Sequence, residues 1–270
     1  MPSASRLLRA ARHDGLSRGT RARLLRLELA RRLRPRARYP LRLGATTVYL
    51  SRDDFEIDWK SLAFVVVDEA YAGDYAGAVV VDIGAHKGYF AAYAFERGAR
   101  TVVSYEPEAA NFSLLQLAAM ERGEDWIVEQ AAVGATAGEA ELHVMSASWG
   151  HALHPPDAFS EYEVGTQRVS VLALADVLER AHALAAGAGV VVKVNIEGEE
   201  CPVILGTPPS AWEVVDETHI ETHPWAACGA GEIADHLVPA GLSRCASAHP
   251  AVLRLRRGGS PPAGPHTAAR

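Results

Sequence analysis

The sequence lacks the ~20 consecutive apolar residues that would cross a bilayer as a helix. Its N-terminus is arginine-rich and lacks the roughly 7–15-residue apolar core of a secretory leader, so a cytoplasmic protein is expected. Cysteine is scarce. Cys201, Cys228 and Cys245 are three in number, widely spaced, and match neither zinc-site nor CxxC spacing, so free thiols in a reducing compartment are expected. No metal site is predicted. Two phosphate-binding signatures are also incomplete. The glycine turn has no Lys-Ser/Thr pair after it, which disfavours nucleoside triphosphates, and it lacks the middle glycine of the dinucleotide fingerprint, which disfavours NAD.

What is present is an ordinary globular composition, 49% hydrophobic and 22% charged, with a strongly uneven charge distribution. Residues 1–43 hold thirteen arginines against Asp14 and Glu28, a local charge of +11. The remaining 14 basic and 31 acidic residues give −17, so a basic arm on an acidic body is expected. Ala22, Leu25, Leu29 and Leu33 recur at helical spacing within a predicted helix over 4–35. Such a helix can pack its leucines on the body, lie on a membrane surface or touch nucleic acid. The chain divides into a helical extension (1–43), a body (44–257) and a Gly/Pro-rich tail (258–270) expected to be disordered.

Residues 41–56 alternate like a short strand or hairpin, and 60–75 read as a short helix and loop. From residue 78 strand and helix patterns alternate: strands near 78–83, 101–106, 126–133, 139–145, 168–172, 189–195, 214–221, 242–247 and 251–256, with helices near 88–97, 109–122, 173–186, 199–205 and 230–239. This order predicts an α/β fold with a mostly parallel sheet covered on both faces.

The turn Gly84-Ala85-His86-Lys87-Gly88 ends the first of these strands, where open α/β sheets bind ligands. Asp82 stands two residues before it. A carboxylate there suits a cationic ligand, an ammonium or a sulfonium, better than a pyrophosphate, and so points to S-adenosylmethionine. Glu106 ends the next strand, 22 residues after Gly84, a distance suited to accepting ribose hydroxyls. Glu106 could instead cap the following helix.

VVVDIGAHKGYF resembles motif I of class I S-adenosylmethionine-dependent methyltransferases, and VVSYEPEAANFSLL, EQAAVGATAGEAEL, VSVLALADVL, VVKVNIEGEECPVILG and HIETHPW resemble, in order, the FkbM family. The resemblance covers about residues 45–225. It implies a Rossmann-like sheet of seven strands, S-adenosylmethionine as methyl donor and O-methylation of a hydroxyl on a small molecule or sugar. The implied cofactor contacts are Asp82, Gly84, Ala85, His86, Gly88, Glu106 and Ala132. Family members usually carry KxDxEG where this chain has Lys193-Val194-Asn195-Ile196-Glu197-Gly198. Lys193 and Glu197 match; Asn195 departs, and an amide hydrogen-bonds but takes no proton at neutral pH. His223, beside Glu221, offers a base with near-neutral pKa, or a structural histidine before Pro224. Lys193, Asn195, Glu197 and His223 are the catalytic candidates. The loop 146–167, with Trp149, His151, His154 and Phe159, is expected to cover the acceptor. Two other readings stay open: a nucleic-acid methyltransferase using the basic arm, and a cofactor-binding protein without turnover.

Overall fold

The structure, a computed structural model, describes Ala22 and residues 37–258. The predicted helix over 4–35, apart from Ala22, and the tail beyond Gly258 lie outside the described residues.

An antiparallel hairpin, β1 (Arg38–Leu43) and β2 (Thr46–Ser51), leads into helix α1 (Phe55–Val66). β1 buries Tyr39, Leu41 and Leu43 at alternate positions, as a strand with one wet face does. A division at residue 43 would therefore cut this hairpin. The body extends back at least to Arg38.

The alternating region follows as β3 (Val79–Ile83), α2 (Tyr89–Glu96), β4 (Thr101–Tyr105), α3 (Ala109–Arg122) and β5 (Trp126–Glu129). After an excursion through β6 (Ala132–Gly134), β7 (Gly138–Met145) and β8 (Glu163–Ala173), it resumes with α4 (Leu174–Ala185), β9 (Val190–Val194), α5 (Glu200–Leu205), β10 (Glu217–Glu221), α6 (Ala230–Leu237), β11 (Leu242–Arg244) and β12 (Val252–Arg257). Seven strands form the central sheet in the order β11-β12-β10-β9-β3-β4-β5. The five from β10 to β5 run parallel, and β12 pairs antiparallel with both neighbours.

The central strands read VVVDI and VVVKV and are buried at every position, the pattern of strands covered on both faces. Their period of two divides the core. Val80 and Val191 face the hairpin and helices α1–α3; Val79, Val81, Ile83, Val190, Val192 and Val194 face α4–α6. Asp82 and Lys193 lie on the first side and stand opposite each other in the β3–β9 register. Ser104 and His219 extend that row on the flanking strands, all four residues being buried.

One expected strand divides. Residues 126–133 do not run through the central sheet: β5 ends at Glu129, and β6 pairs instead with β8, which pairs antiparallel with β7. β8 begins at Glu163, so the expected loop 146–167 ends five residues early, after a short 3₁₀ turn at Asp157–Tyr162. This small sheet hangs its connecting loop over the carboxyl ends of β3, β4 and β9.

Candidate functional site

A cavity of about 400 Å³ opens at those strand ends, a volume suited to a nucleoside-sized ligand. At one end lie Glu106, Ala132, Ser148 and Trp149; at the other, Glu197, Glu221, His223 and Trp225. Gly84, Ala85, His86, Lys193 and Asn195 line the stretch between.

The glycine turn is shaped mostly by the protein itself. Gly84 has φ +73°, and a Cβ there would sit 1.8 Å from the Asn195 carbonyl oxygen. Gly88 has φ +85°, and its missing Cβ admits Trp126 and Leu115, so it serves packing and does not face the cavity. Asp82 corrects the expectation attached to it. It is fully buried off the cavity, and the cation it meets is Lys193, whose Nζ lies 3.1 Å from Oδ1. Lys193 also donates to the carbonyls of Gly84 (2.7 Å) and Ile83 (3.2 Å). The pair thus clamps the turn from beneath. Burial pushes the Asp82 carboxyl up, with Lys193 opposing.

Glu106 follows β4 and lines the cavity. Its two oxygens accept the backbone N–H groups of His86 (2.8 Å) and Glu108 (3.0 Å). The cap of α3 is Glu108, which accepts from Ala110 and Asn111. Burial raises Glu106 to about 7 against the pull of those backbone donors. His86 holds a left-handed φ of +52°, uncommon outside glycine. Burial first, then the neighbouring Lys87, lowers its pKa well below the usual value, so the ring is neutral.

Four titratable side chains, Glu197, Glu200, Glu221 and His223, gather at the other end. Glu197 has φ +55°, strain of a kind that clusters at functional sites. Burial raises it to about 8. His223 Nε2 lies 3.6 Å from Glu197 and Nδ1 lies 3.2 Å from Glu200. Burial alone would lower the His223 pKa, but Glu200, Glu197 and Glu221 outweigh it and raise it. Glu200 is itself fixed by the backbone N–H groups of Ile196 (2.9 Å) and Gly198 (3.0 Å). Tyr71 closes this end, donating to Glu221 at 2.5 Å. Tyr71 and Glu200 were not among the sequence candidates. Tyr71 reaches the site from a connecting loop 150 residues from its partner, and only the fold brings it there.

The expected covering loop contributes Ser148, Trp149, His151, Ala152 and Leu153 to the lining. His151 Nδ1 accepts from the Met145 N–H, and His154 pairs with Glu199 at 2.7 Å. Phe159 packs edge-on against Trp225, with centroids 5.2 Å apart. The expectation of free thiols fails for two cysteines: Cys201, in the first turn of α5, and Cys228 form a disulfide with Cα atoms 5.7 Å apart. They are 27 residues apart in a pattern that carries no local signal. Cys245 is free.

The residues present fit S-adenosylmethionine. Asn195 Oδ1 and His86 Nδ1 are buried at the cavity with no hydrogen-bond partner among the described residues, and Glu106 offers carboxyl oxygens to a ligand's hydroxyls.

A mostly parallel sheet with its cavity at the strand ends, an acid closing the second strand and a glycine turn closing the first, is the arrangement in which open α/β folds bind nucleoside cofactors. The methyltransferase FkbM domain matches residues 82–239, more than half of the chain, and the protein belongs to that family. No curated protein matches the chain. Among solved structures, methyltransferase FkbM from Methylobacillus flagellatus KT is similar at 14% identity and a TM-score of 0.43, covering 68% of this chain. This chain spans 44% of that protein's length. An S-adenosylmethionine-dependent methyltransferase from Mesorhizobium loti matches at 11% identity and a TM-score of 0.37, covering 74% of this chain and 98% of its own. One from Agrobacterium tumefaciens matches at 9% and 0.36, covering 82% and 70%.

Proposed function

We propose that this methyltransferase uses S-adenosylmethionine to methylate a hydroxyl group on a small molecule or sugar. The observation that supports this most is the single cavity running from Glu106 to the Glu197–His223 pair. One end suits a ribose, and the other offers proton acceptors to a second molecule.

When bound, the cofactor supplies a methyl group made electrophilic by its sulfonium. Glu106 accepts hydrogen bonds from vicinal hydroxyls, and Asn195 Oδ1 accepts one from an ammonium or hydroxyl donor. His223 takes the proton from the acceptor oxygen as general base, with Nε2 turned toward Glu197. Glu200 and Glu197 hold the resulting imidazolium between two carboxyl groups. Lys193, committed to Asp82 and the turn carbonyls, positions the glycine turn and takes no proton. Trp225, backed by Phe159, gives the acceptor side an aromatic surface. The general base is then His223, and Asn195 keeps a binding role.

The charge of the body argues against a nucleic-acid acceptor: from residue 44 on, 31 acidic residues stand against 14 basic ones, and such a surplus repels a phosphate backbone.

Calorimetric titration with S-adenosylmethionine and S-adenosylhomocysteine tests the reading, with NAD as control. Micromolar binding of the first two and not the third is expected, weakened at least about tenfold by Glu106→Ala through loss of charge-assisted hydrogen bonds. Absence of binding to the intact protein overturns it.

A further inference from the structure

The segment after β10 carries both His223 and Trp225, and its noncovalent anchors are the His223 pairs with Glu197 and Glu200, the Trp225 ring against Phe159 and His223, and the Thr222 bonds to the Ala251 carbonyl. Trp225 Nε1 donates to the Glu197 carbonyl at a long 3.4 Å, and its ring lies against Gly198, where a Cβ would meet Nε1 at 3.0 Å. Gly229 N–H donates to Glu232 at 3.2 Å. Trp225 is 37% exposed, and Pro224, Ala227 and Gly229 are also exposed. Against these contacts stands one covalent tie: Cys228 joins the segment to Cys201, which adjoins Glu200 and follows Glu197 by four residues. The bond therefore spans the two elements that carry the base and its carboxylates.

We infer that the Cys201–Cys228 disulfide is a reversible thiol–disulfide exchange site whose redox state sets the acceptor wall of the cavity, the co-reactant being a dithiol reductant. This rests on the reading of that wall as the acceptor side. Cys201 is almost fully buried and Cys228 only partly, so the incoming thiolate attacks Cys228 Sγ. Cys201 leaves as a thiolate and takes up a proton. The second thiol of the reductant then attacks the mixed disulfide and releases the Cys228 thiol. The reductant departs as a disulfide, and two electrons and two protons end on the cysteine pair. Reduction removes the one covalent tie and leaves the segment to its noncovalent contacts, so that it opens more often, taking His223 and Trp225 off Glu197 and Gly198. The Glu106 end is built on β3, β4 and the small sheet, and does not depend on the bond.

The test uses the full chain, prepared without reductant and compared before and after dithiothreitol. Alkylation under denaturing conditions followed by mass spectrometry should count one free thiol before treatment, from Cys245, and three after it. Hydrogen exchange over residues 222–229 should quicken about tenfold or more on reduction and slow again on reoxidation, while exchange over 79–83 stays unchanged. Affinity for S-adenosylhomocysteine should hold. Cys201→Ser/Cys228→Ser should match the reduced protein, and Cys245→Ser the oxidised one. Three free thiols before treatment, a bond that dithiothreitol leaves intact in the folded protein, or exchange indifferent to redox state would each overturn the inference. Loss of S-adenosylhomocysteine binding on reduction would also overturn it, because the effect would not be confined to the acceptor wall. If the double variant does not fold, the wild-type comparison still decides. If neither redox form binds S-adenosylhomocysteine, the methyltransferase reading of the cavity fails, and the exchange measurement still judges the switch.

Discussion

Glu197 shows how a single residue can carry both strain and a displaced titration. Its left-handed backbone aims the side chain at His223, and burial raises its carboxyl to about 8 from an ordinary value of 4.5. Between those values the folded protein holds a proton that the unfolded chain has released, so stability falls as pH rises through that window. Each unit of such a shift corresponds to about 1.4 kcal/mol. Glu197→Gln should therefore flatten the decline in thermal midpoint between pH 5 and 8. An unchanged slope would show that Glu197 titrates normally. Glu106, raised to about 7, adds a smaller slope of the same sign that the substitution leaves in place. At the same scale, Lys193→Met leaves Asp82 buried without its cation, which should cost about 3–5 kcal/mol in urea unfolding. Asp82→Asn combined with Lys193→Met should cost less than Lys193→Met alone, since no charge is then stranded. The sequence shows the acid before the glycine turn and the lysine in its motif. It does not show that they meet, because their partnership comes from the β3–β9 register.

At the scale of elements, periodicity was enough to place most strands and helices, because the central strands are apolar throughout and the outer helices are amphipathic. It failed where a strand changed sheets. Residues 126–133 look uniform in sequence, yet the chain leaves the central sheet between Glu129 and Ala132. Nothing local marks that exit, since β6 is fixed by its pairing with β8 some forty residues later. The glycine turn was legible for a different reason: its conformation needs residues without a side chain. Gly84→Ala would drive a Cβ into the Asn195 carbonyl at a positive φ, so the β3 and β9 ends must separate. We expect a loss of more than ~2 kcal/mol together with loss of S-adenosylhomocysteine binding. Gly138→Ala, at a site with nothing within 4 Å, should change stability by less than ~0.5 kcal/mol and serves as the control. Equal effects at both positions would show that the turn tolerates a side chain.

Across the whole molecule, two apolar cores flank one sheet, and the cavity lies where the strands of that sheet end. Its walls come from α1, the glycine turn, the small three-stranded sheet and the segment after β10, parts that also touch one another through Lys87–Asp58, His86–Ser148 and Phe159–Trp225. The sequence indicated the Glu106 end because its residues sit in two short motifs. The Glu197–His223 end was partly hidden, since Tyr71 and the disulfide are brought in from distant parts of the chain. A ligand that binds only the folded state stabilises it by mass action. At one hundred times its dissociation constant the gain is about 2.7 kcal/mol, and in a body of this size each kcal/mol shifts the thermal midpoint by about 2–4 °C. Saturating S-adenosylhomocysteine should therefore raise the midpoint by roughly 5–10 °C. Glu106→Ala should keep the fold and lose most of that rise at the same concentration. His223→Ala should keep the rise, because it stands at the acceptor end. A rise abolished equally by both substitutions would mean that the two ends of the cavity do not hold separate ligands, and would refute the division between cofactor and acceptor.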